Sequence, residues 1–408
     1  MEESHAAFAN AFRQDIPPPT APWAGFPTYN FVGGHNAAET VPVDELIAAV
    51  TARLQNEGRT LATYSLESGP QGYRPLRSFL VDRLKQDAGI ACTEDEILIT
   101  SGSLQGMELI NAAMLSPGDT VVIEEENYGG VLSRLKRRQA EIAAVPVDHD
   151  GMRMDALAET LEALKARGIT PKYIYTIPTV QNPTATVMPE DRRREMLRLA
   201  RQYNVPVFED DCYANLTWDG ERPPAIHALD TDGCVVYIGS FSKSIAPALR
   251  VGYVVAPWPV LAQLLPLKTD AGSGAIEQMM LAEYCPAHFD THVKRQRAVL
   301  KDKLDNLIEA LSAAFGTTVE FRVPRGGIFL WVRFPEAVDT ARLCKAAAEA
   351  GIAVNPGPEW SVAGDANRCI RICYANPSKD VVRDGILKLA EVCHATFGVP
   401  ERSGNISR

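Results

Sequence analysis

Apolar residues recur at two spacings along this chain, and each spacing marks a different kind of element. In VDELIAAVTARLQNE (43–57) they return every three or four positions, the period of a helix with one buried face. RPLRSFLVDRLKQDAG (74–89) repeats that period and closes on a glycine, a common helix stop. From about residue 96 the apolar runs become short and β-branched. EILIT, TVVIEEENY, EIAAVPV, KYIYTIP, VPVFEDD, CVVYIGS and VGYVVAP each read as a buried strand. Helices are expected at 101–115, entered through a Gly/Ser turn, around 129–141, and near 189–203. Strands alternating with helices predict a largely parallel sheet covered on both faces. After about 275 the pattern changes. A long helix is expected over 276–314, then shorter strands (VEFRV, GGIFLWVRF, CIRICYA) interleaved with helices, as in a smaller α+β unit. Prolines at 17, 18, 19, 22 and 27 make the first 28 residues an extended arm.

Composition narrows the class. At 408 residues the chain has room for roughly two to three domains of about 150 residues. Its 46% apolar and 23% charged content is that of a soluble globular protein. A net charge of −10 argues against a broad nucleic-acid footprint, while leaving room for a small anion held by a few local cations. The first residues are acidic and carry no apolar core, so no secretory signal is expected. No apolar run reaches the roughly 20 residues of a membrane span. The eight cysteines lack disulfide-framework or zinc spacing, and no metal site is expected. The expectation is a reduced, cytoplasmic protein.

The chemistry collects after the strands. Ligands of parallel α/β sheets sit outside the carboxyl ends of the strands. After EILIT come Ser101, Gly102, Ser103, Leu104 and Gln105 at a helix start, where backbone N–H groups can hold an anion. After TVVIEEE comes Tyr128, and after KYIYTIP come Gln181, Asn182 and Pro183. VPVFE delivers Asp210, Asp211 and Tyr213, and CVVYIG delivers Ser240, Ser242 and Lys243, with Arg250 seven residues on. Alone, each is an ordinary cap or turn residue. Together they put Asp, Tyr, Lys, Ser and Arg along one edge of one sheet.

This series resembles the fold-type-I aminotransferases, which use pyridoxal 5′-phosphate (PLP). The likeness spans nearly the whole chain: GSLQG (102–106), Tyr128, QNPT (181–184), EDDCY (209–213), SFSKSIAPALRVGY (240–253), PRGGIFLWV (324–332) and IRICYA (370–375). The nearest subgroup is the class I/II branch with kynurenine/α-aminoadipate aminotransferases and the catalytic half of MocR-type regulators. The resemblance implies a large domain at 60–274 with a mostly parallel seven-stranded sheet covered by helices. It implies a C-terminal small α+β domain at 275–408, joined by an N-terminal arm and segment at 1–59. Lys243 would form the Schiff base with PLP and shuttle the substrate Cα proton. Asp210 would pair with the pyridine nitrogen, Asn182 and Tyr213 with the ring 3′-oxygen, and Tyr128 would stack on the ring. The Ser103 and Leu104 backbone, Ser240, Ser242 and Arg250 would surround the phosphate. Arg371 would receive the substrate α-carboxylate. A tyrosine, Tyr64 or the competing Tyr73, would reach the phosphate of a partner subunit, so the active site would be shared across a homodimer.

Three positions depart from the family pattern. Ala185 follows N-P-T where glycine is usual, and Cys212 replaces a proline. In FVGGHNAAE (31–39), Gly34, His35 and Asn36 stand where relatives read G-G-x-P in a segment that covers the substrate. The implied reaction exchanges an amino group between an L-amino acid and a 2-oxo acid. The same cofactor residues serve β- or γ-elimination and replacement, C–C bond formation and cyclisation, so these remain alternatives. A DNA-binding regulator would add a basic winged-helix domain ahead of this fold. Neither nucleic acid nor membrane is an expected partner.

Overall fold

The computed structural model describes residues 11–12, 16–218 and 222–401. The seven apolar runs form one sheet: β1 (Ile97–Thr100), β2 (Thr120–Glu124), β3 (Glu141–Val145), β4 (Ile174–Thr176), β5 (Val207–Asp210), β6 (Val235–Ser240) and β7 (Gly252–Val255). Their order across the sheet is β1-β7-β6-β5-β4-β2-β3. Neighbours run parallel except β7, which is antiparallel to both β1 and β6. Gly252 therefore pairs with Thr100 on one side and Ser240 on the other. The start of β7 lies beside the carboxyl ends of its neighbours, which brings Arg250 to the same sheet edge as Lys243.

Buried aliphatic side chains cover both faces. Leu98, Ile123, Tyr175 and Ile238 pack with Met107 and Ile110 of the helix Ser103–Met114. Val122, Ile174 and Val207 pack with Met196 and Leu199 of Glu190–Tyr203, and with Leu157 and Leu161 of Met154–Ala166. That last helix was not expected from the sequence. The helix expected around 129–141 runs only over Gly129–Arg137, because Gln139 takes a left-handed φ of 54° and turns the chain into β3. The helix Arg74–Ala88 stops where Gly89 adopts φ 74°.

A second sheet of four antiparallel strands has the order Glu320–Phe321, Phe329–Arg333, Cys369–Cys373, Asn355–Pro356. Near the N-terminus, Tyr29–Asn30 pairs parallel with Ile352–Ala353, and Phe31 is fully buried in the core of this smaller unit. The helix Val43–Glu57 instead packs Leu46 and Ala49 beside Leu76, Leu80 and Met279. The long helix Ala275–Phe315 belongs to both cores: Met279 to Val293 seat against the first, Leu300 to Phe315 against the second. All eight cysteines are unpaired thiols.

Candidate active site

A cavity of about 980 Å³ opens along the carboxyl edge of the large sheet and extends to the small one. Ser103, Leu104, Tyr128, Asn182, Asp210, Tyr213, Ser240, Ser242, Lys243, Arg250 and Arg371 all line it, as does Gly34.

Lys243 sits in the short helical turn after β6. Its Nζ donates to the Gly34 carbonyl at 2.5 Å and lies 6.0 Å from the centre of the Tyr213 ring. Burial lowers its pKa from the usual lysine value, and Arg371 and Arg250 push the same way. The turn is held by amides from elsewhere. Asn36 Nδ2 donates to the carbonyls of Lys243 and Ile245 (3.3 and 3.1 Å), and Gln296 Nε2 to that of Lys243 (2.9 Å). Asn36 thus braces the lysine turn. The His35 ring packs against Phe26 at 5.4 Å and is not on the cavity wall. Burial and the Lys243 charge hold His35 below the ordinary imidazole pKa.

At the other side of the lysine, Asp210 is buried at the end of β5. Tyr175 donates to its Oδ2 at 2.7 Å, and its Oδ1 has no hydrogen-bond partner. Desolvation raises the Asp210 pKa, opposed by hydrogen bonds to the ionised form. A buried carboxylate oxygen left unpaired at a cavity wall is costly unless a donor meets it there. A ring N–H is such a donor.

The anion cradle is built from three strand ends. Ser103 and Leu104 begin a twelve-residue helix whose first amides have no intrahelical acceptors. Ser240 caps the lysine turn by accepting from Ser242 N–H, and Arg250 reaches Ser242 Oγ at 3.4 Å and the Ser101 carbonyl at 3.3 Å. The close approach depends on Gly252: a Cβ there would lie 2.5 Å from the Ser103 nitrogen.

Arg371 comes from the small sheet and is 3% exposed. Its guanidinium is stacked between Phe329 and Trp360, 3.9 and 3.7 Å from the ring centres. It donates to Asn182 Oδ1 (3.0 Å), Asn355 Oδ1 (2.9 Å) and the Gly33 carbonyl (3.1 Å), and its Nε has no partner. Burial lowers its pKa to about 10, so it remains a cation at neutral pH. Asn182 in turn donates to the Tyr213 hydroxyl at 3.3 Å. One line of hydrogen bonds therefore runs from Arg371 through Asn182 to Tyr213.

The two tyrosines ahead of Leu76 and Arg77 part company. Tyr73 is buried, and its phenol bonds Glu57 and Arg53 of its own chain. Tyr64 is 85% exposed, beside three consecutive left-handed residues, Ser65, Leu66 and Glu67. Sequence reasoning missed Trp360, Phe329, Asn355, Tyr175 and Glu124. A glutamate ending the apolar run TVVI was a visible signal for Glu124, whereas a lone tryptophan in NPGPEWS carried none.

An unpaired carboxylate facing an anion cradle across a lysine defines a PLP enzyme of fold type I, and the residues present fit that cofactor. Residues 35–389 match the family model for aminotransferase class I and II, and the chain belongs to that family. It is 32% identical over 366 residues to an aromatic-amino-acid aminotransferase of Thermococcus litoralis, covering 89% of this chain and 87% of the relative. A 2-aminoadipate transaminase of Thermus thermophilus is 29% identical, covering 88% of each. Among solved structures, a kynurenine aminotransferase of Pyrococcus horikoshii, crystallised with the cofactor's amine form (PMP), superposes with a TM-score of 0.86. That match has 31% identity and covers 92% of both chains. The protein is a PLP-dependent aminotransferase.

Proposed function

We propose that this aminotransferase takes L-amino acids with an aromatic or long aliphatic side chain and passes their amino group to a 2-oxo acid. The observation that carries the reading is the buried, stacked Arg371, which lines the cavity, forms no ion pair among the described residues and has an Nε without a partner. It awaits a carboxylate. The cavity wall also carries Tyr128, Leu132, Ile142, Phe329, Trp360 and Val362; apart from Lys243, Arg250 and Arg371 its one lining cation among the described residues is the exposed Lys136. The names of the relatives, aromatic and aminoadipate, support an extended side chain.

Bound PLP supplies an aldehyde that condenses with amines and a ring that accepts the electrons released at the substrate Cα. The chain does the rest. The Ser103 and Leu104 amides, Ser240, Ser242 and Arg250 hold the phosphate. Asp210 Oδ1 would take the ring N–H, with Tyr175 holding Oδ2. Asn182 and Tyr213 would donate to the 3′-oxygen, and Tyr128 would cover the ring. Arg371 holds the α-carboxylate, which requires the Gly33 carbonyl to yield its place. Lys243, with its depressed pKa, carries the Cα proton. The partner-facing role falls to Tyr64. Val43, Ile47 and Leu54 expose an apolar stripe on a helix whose other face is already buried, and Leu61, Tyr64 and Ile276 are exposed as well. A second copy covering this stripe would make the site a shared one.

The test is a half-reaction. Adding phenylalanine or leucine to the holoenzyme should convert the bound cofactor to its amine form, with one equivalent of 2-oxo acid released. In Lys243→Ala the lysine-dependent visible band and turnover should both vanish in a folded protein. A substrate altered while the cofactor keeps its aldehyde form would sink the reading.

A further inference from the structure

We propose that Glu124 is a positioning residue of this site: through Asn127 and Gln181, its carboxylate fixes both Tyr128 over the ring and Asn182 at the 3′-oxygen. The inference rests on the PLP reading of the cavity.

Glu124 ends β2 and is 0% exposed. Its Oε1 accepts from Thr176 Oγ1 at 2.6 Å and the Ile177 amide at 3.2 Å. Its Oε2 accepts from Asn127 Nδ2 and Gln181 Nε2, each at 3.2 Å. Every partner is a neutral donor, and no cation pairs with it among the described residues. The carboxylate is held by dipoles alone, and burial pushes its pKa up to about 7.

Both amides pass the constraint onward. With its NH₂ on Glu124, Asn127 can accept through Oδ1 only from the Tyr128 backbone N–H (2.7 Å). Gln181, its NH₂ shared between Glu124 and the Glu126 carbonyl (2.6 Å), turns Oε1 to the Thr184 amide and hydroxyl at 2.8 and 2.7 Å. Asn182 lies between those two residues. An acceptor at position 124 therefore sets the orientation of both amides, and the amides set the two loops that bring Tyr128 and Asn182 to the cavity wall. Arg371 also bonds the Asn182 side chain, but among the described residues Glu124 is the one charged side chain bonded to the amides of Asn127 and Gln181. Glu124 does not itself line the cavity, so its effect is carried by others.

Glu124→Gln keeps the shape and replaces one acceptor with a donor. The new NH₂ would meet the amides of Asn127 and Gln181, and each could relieve the clash only by flipping. A flipped Asn127 opposes the Tyr128 N–H, and a flipped Gln181 opposes Thr184. The holoenzyme of E124Q should show two spectroscopic changes. The pH midpoint of the visible absorption of the Lys243-bound cofactor should rise by about one unit, since donors to the 3′-oxygen favour its ionised form. The visible circular dichroism of the cofactor should weaken as Tyr128 loosens. In the double variant E124Q/N127D the new amide can donate to the carboxylate introduced at position 127, whose other oxygen still accepts from Tyr128 N–H. That pair should recover the dichroism while the midpoint stays raised, a split that general loss of packing would not produce. Should E124Q fail to fold, Asn127→Ala must weaken the dichroism and Gln181→Ala must raise the midpoint. Parent-like midpoint and dichroism in E124Q, or in both alanine variants, would overturn the proposal. Loss of the parent's visible band signature on Lys243→Ala tests the PLP reading separately.

Discussion

At the scale of single residues, the cation that receives substrate is prepared by aromatic rings. Arg371 is pinned between Phe329 and Trp360 and pointed by Asn182 and Asn355. A lysine would keep the charge and lose the planar fork and both stacks. Arg371→Lys should raise KM for the amino acid roughly tenfold or more, about 1.4 kcal/mol, with a smaller change in kcat. Steady-state kinetics decide this, and an unaltered KM would move the carboxylate site elsewhere. Much of this residue chemistry was legible beforehand, because Lys243, Asp210, Asn182, Tyr213 and Arg250 fall in short ordered motifs after strands. Their supports were not. Asn355 faces Arg371 from the neighbouring strand and Trp360 from the short turn after it, a pairing no motif announces, and Asn36, read within a segment that covers the substrate, braces the lysine turn through two backbone carbonyls. Side-chain amides have no periodicity, and the carbonyls that Asn36 meets lie roughly 200 residues along the chain.

At the scale of elements, apolar spacing predicted all seven strands of the large sheet and the long helix. It could not give direction: that β7 runs against its neighbours depends on the turn after β6, and that reversal delivers Arg250 to the phosphate edge. The helix Met154–Ala166 was missed although Leu157, Leu161 and Leu164, its buried face, recur at helical spacing. The approach of β7 to the helix Ser103–Met114 is an element-level device with its own prediction. Gly252→Ala sets a methyl against backbone, not a yielding side chain, so the helix start must move off the sheet edge. Cofactor affinity should fall at least about tenfold, and overpacking should cost roughly 1–3 kcal/mol of stability. Cofactor titration and thermal melting measure the two.

At the scale of the whole molecule, the described chain exposes apolar side chains from Val43 to Tyr64 that its own core does not need. If a second copy covers them, sedimentation should give twice the 44.5 kDa of one chain, and Tyr64→Ala should release cofactor faster while leaving Lys243 in place. A monomer at micromolar concentration that retains cofactor fully would refute the shared site. The cores explain how such an assembly stays in register. One 41-residue helix, roughly 60 Å of chain, is seated in both of them, so a single element ties the two cores together.

The oxygens that occupy Lys243 and Arg371, those of Gly34 and Gly33, are peptide oxygens. No point substitution can delete them. An incoming carboxylate competes with a tethered dipole whose local concentration is set by the length and stiffness of the segment carrying it. Selection can therefore tune substrate affinity by loosening or tightening residues 28–36, without altering any side chain that performs the chemistry.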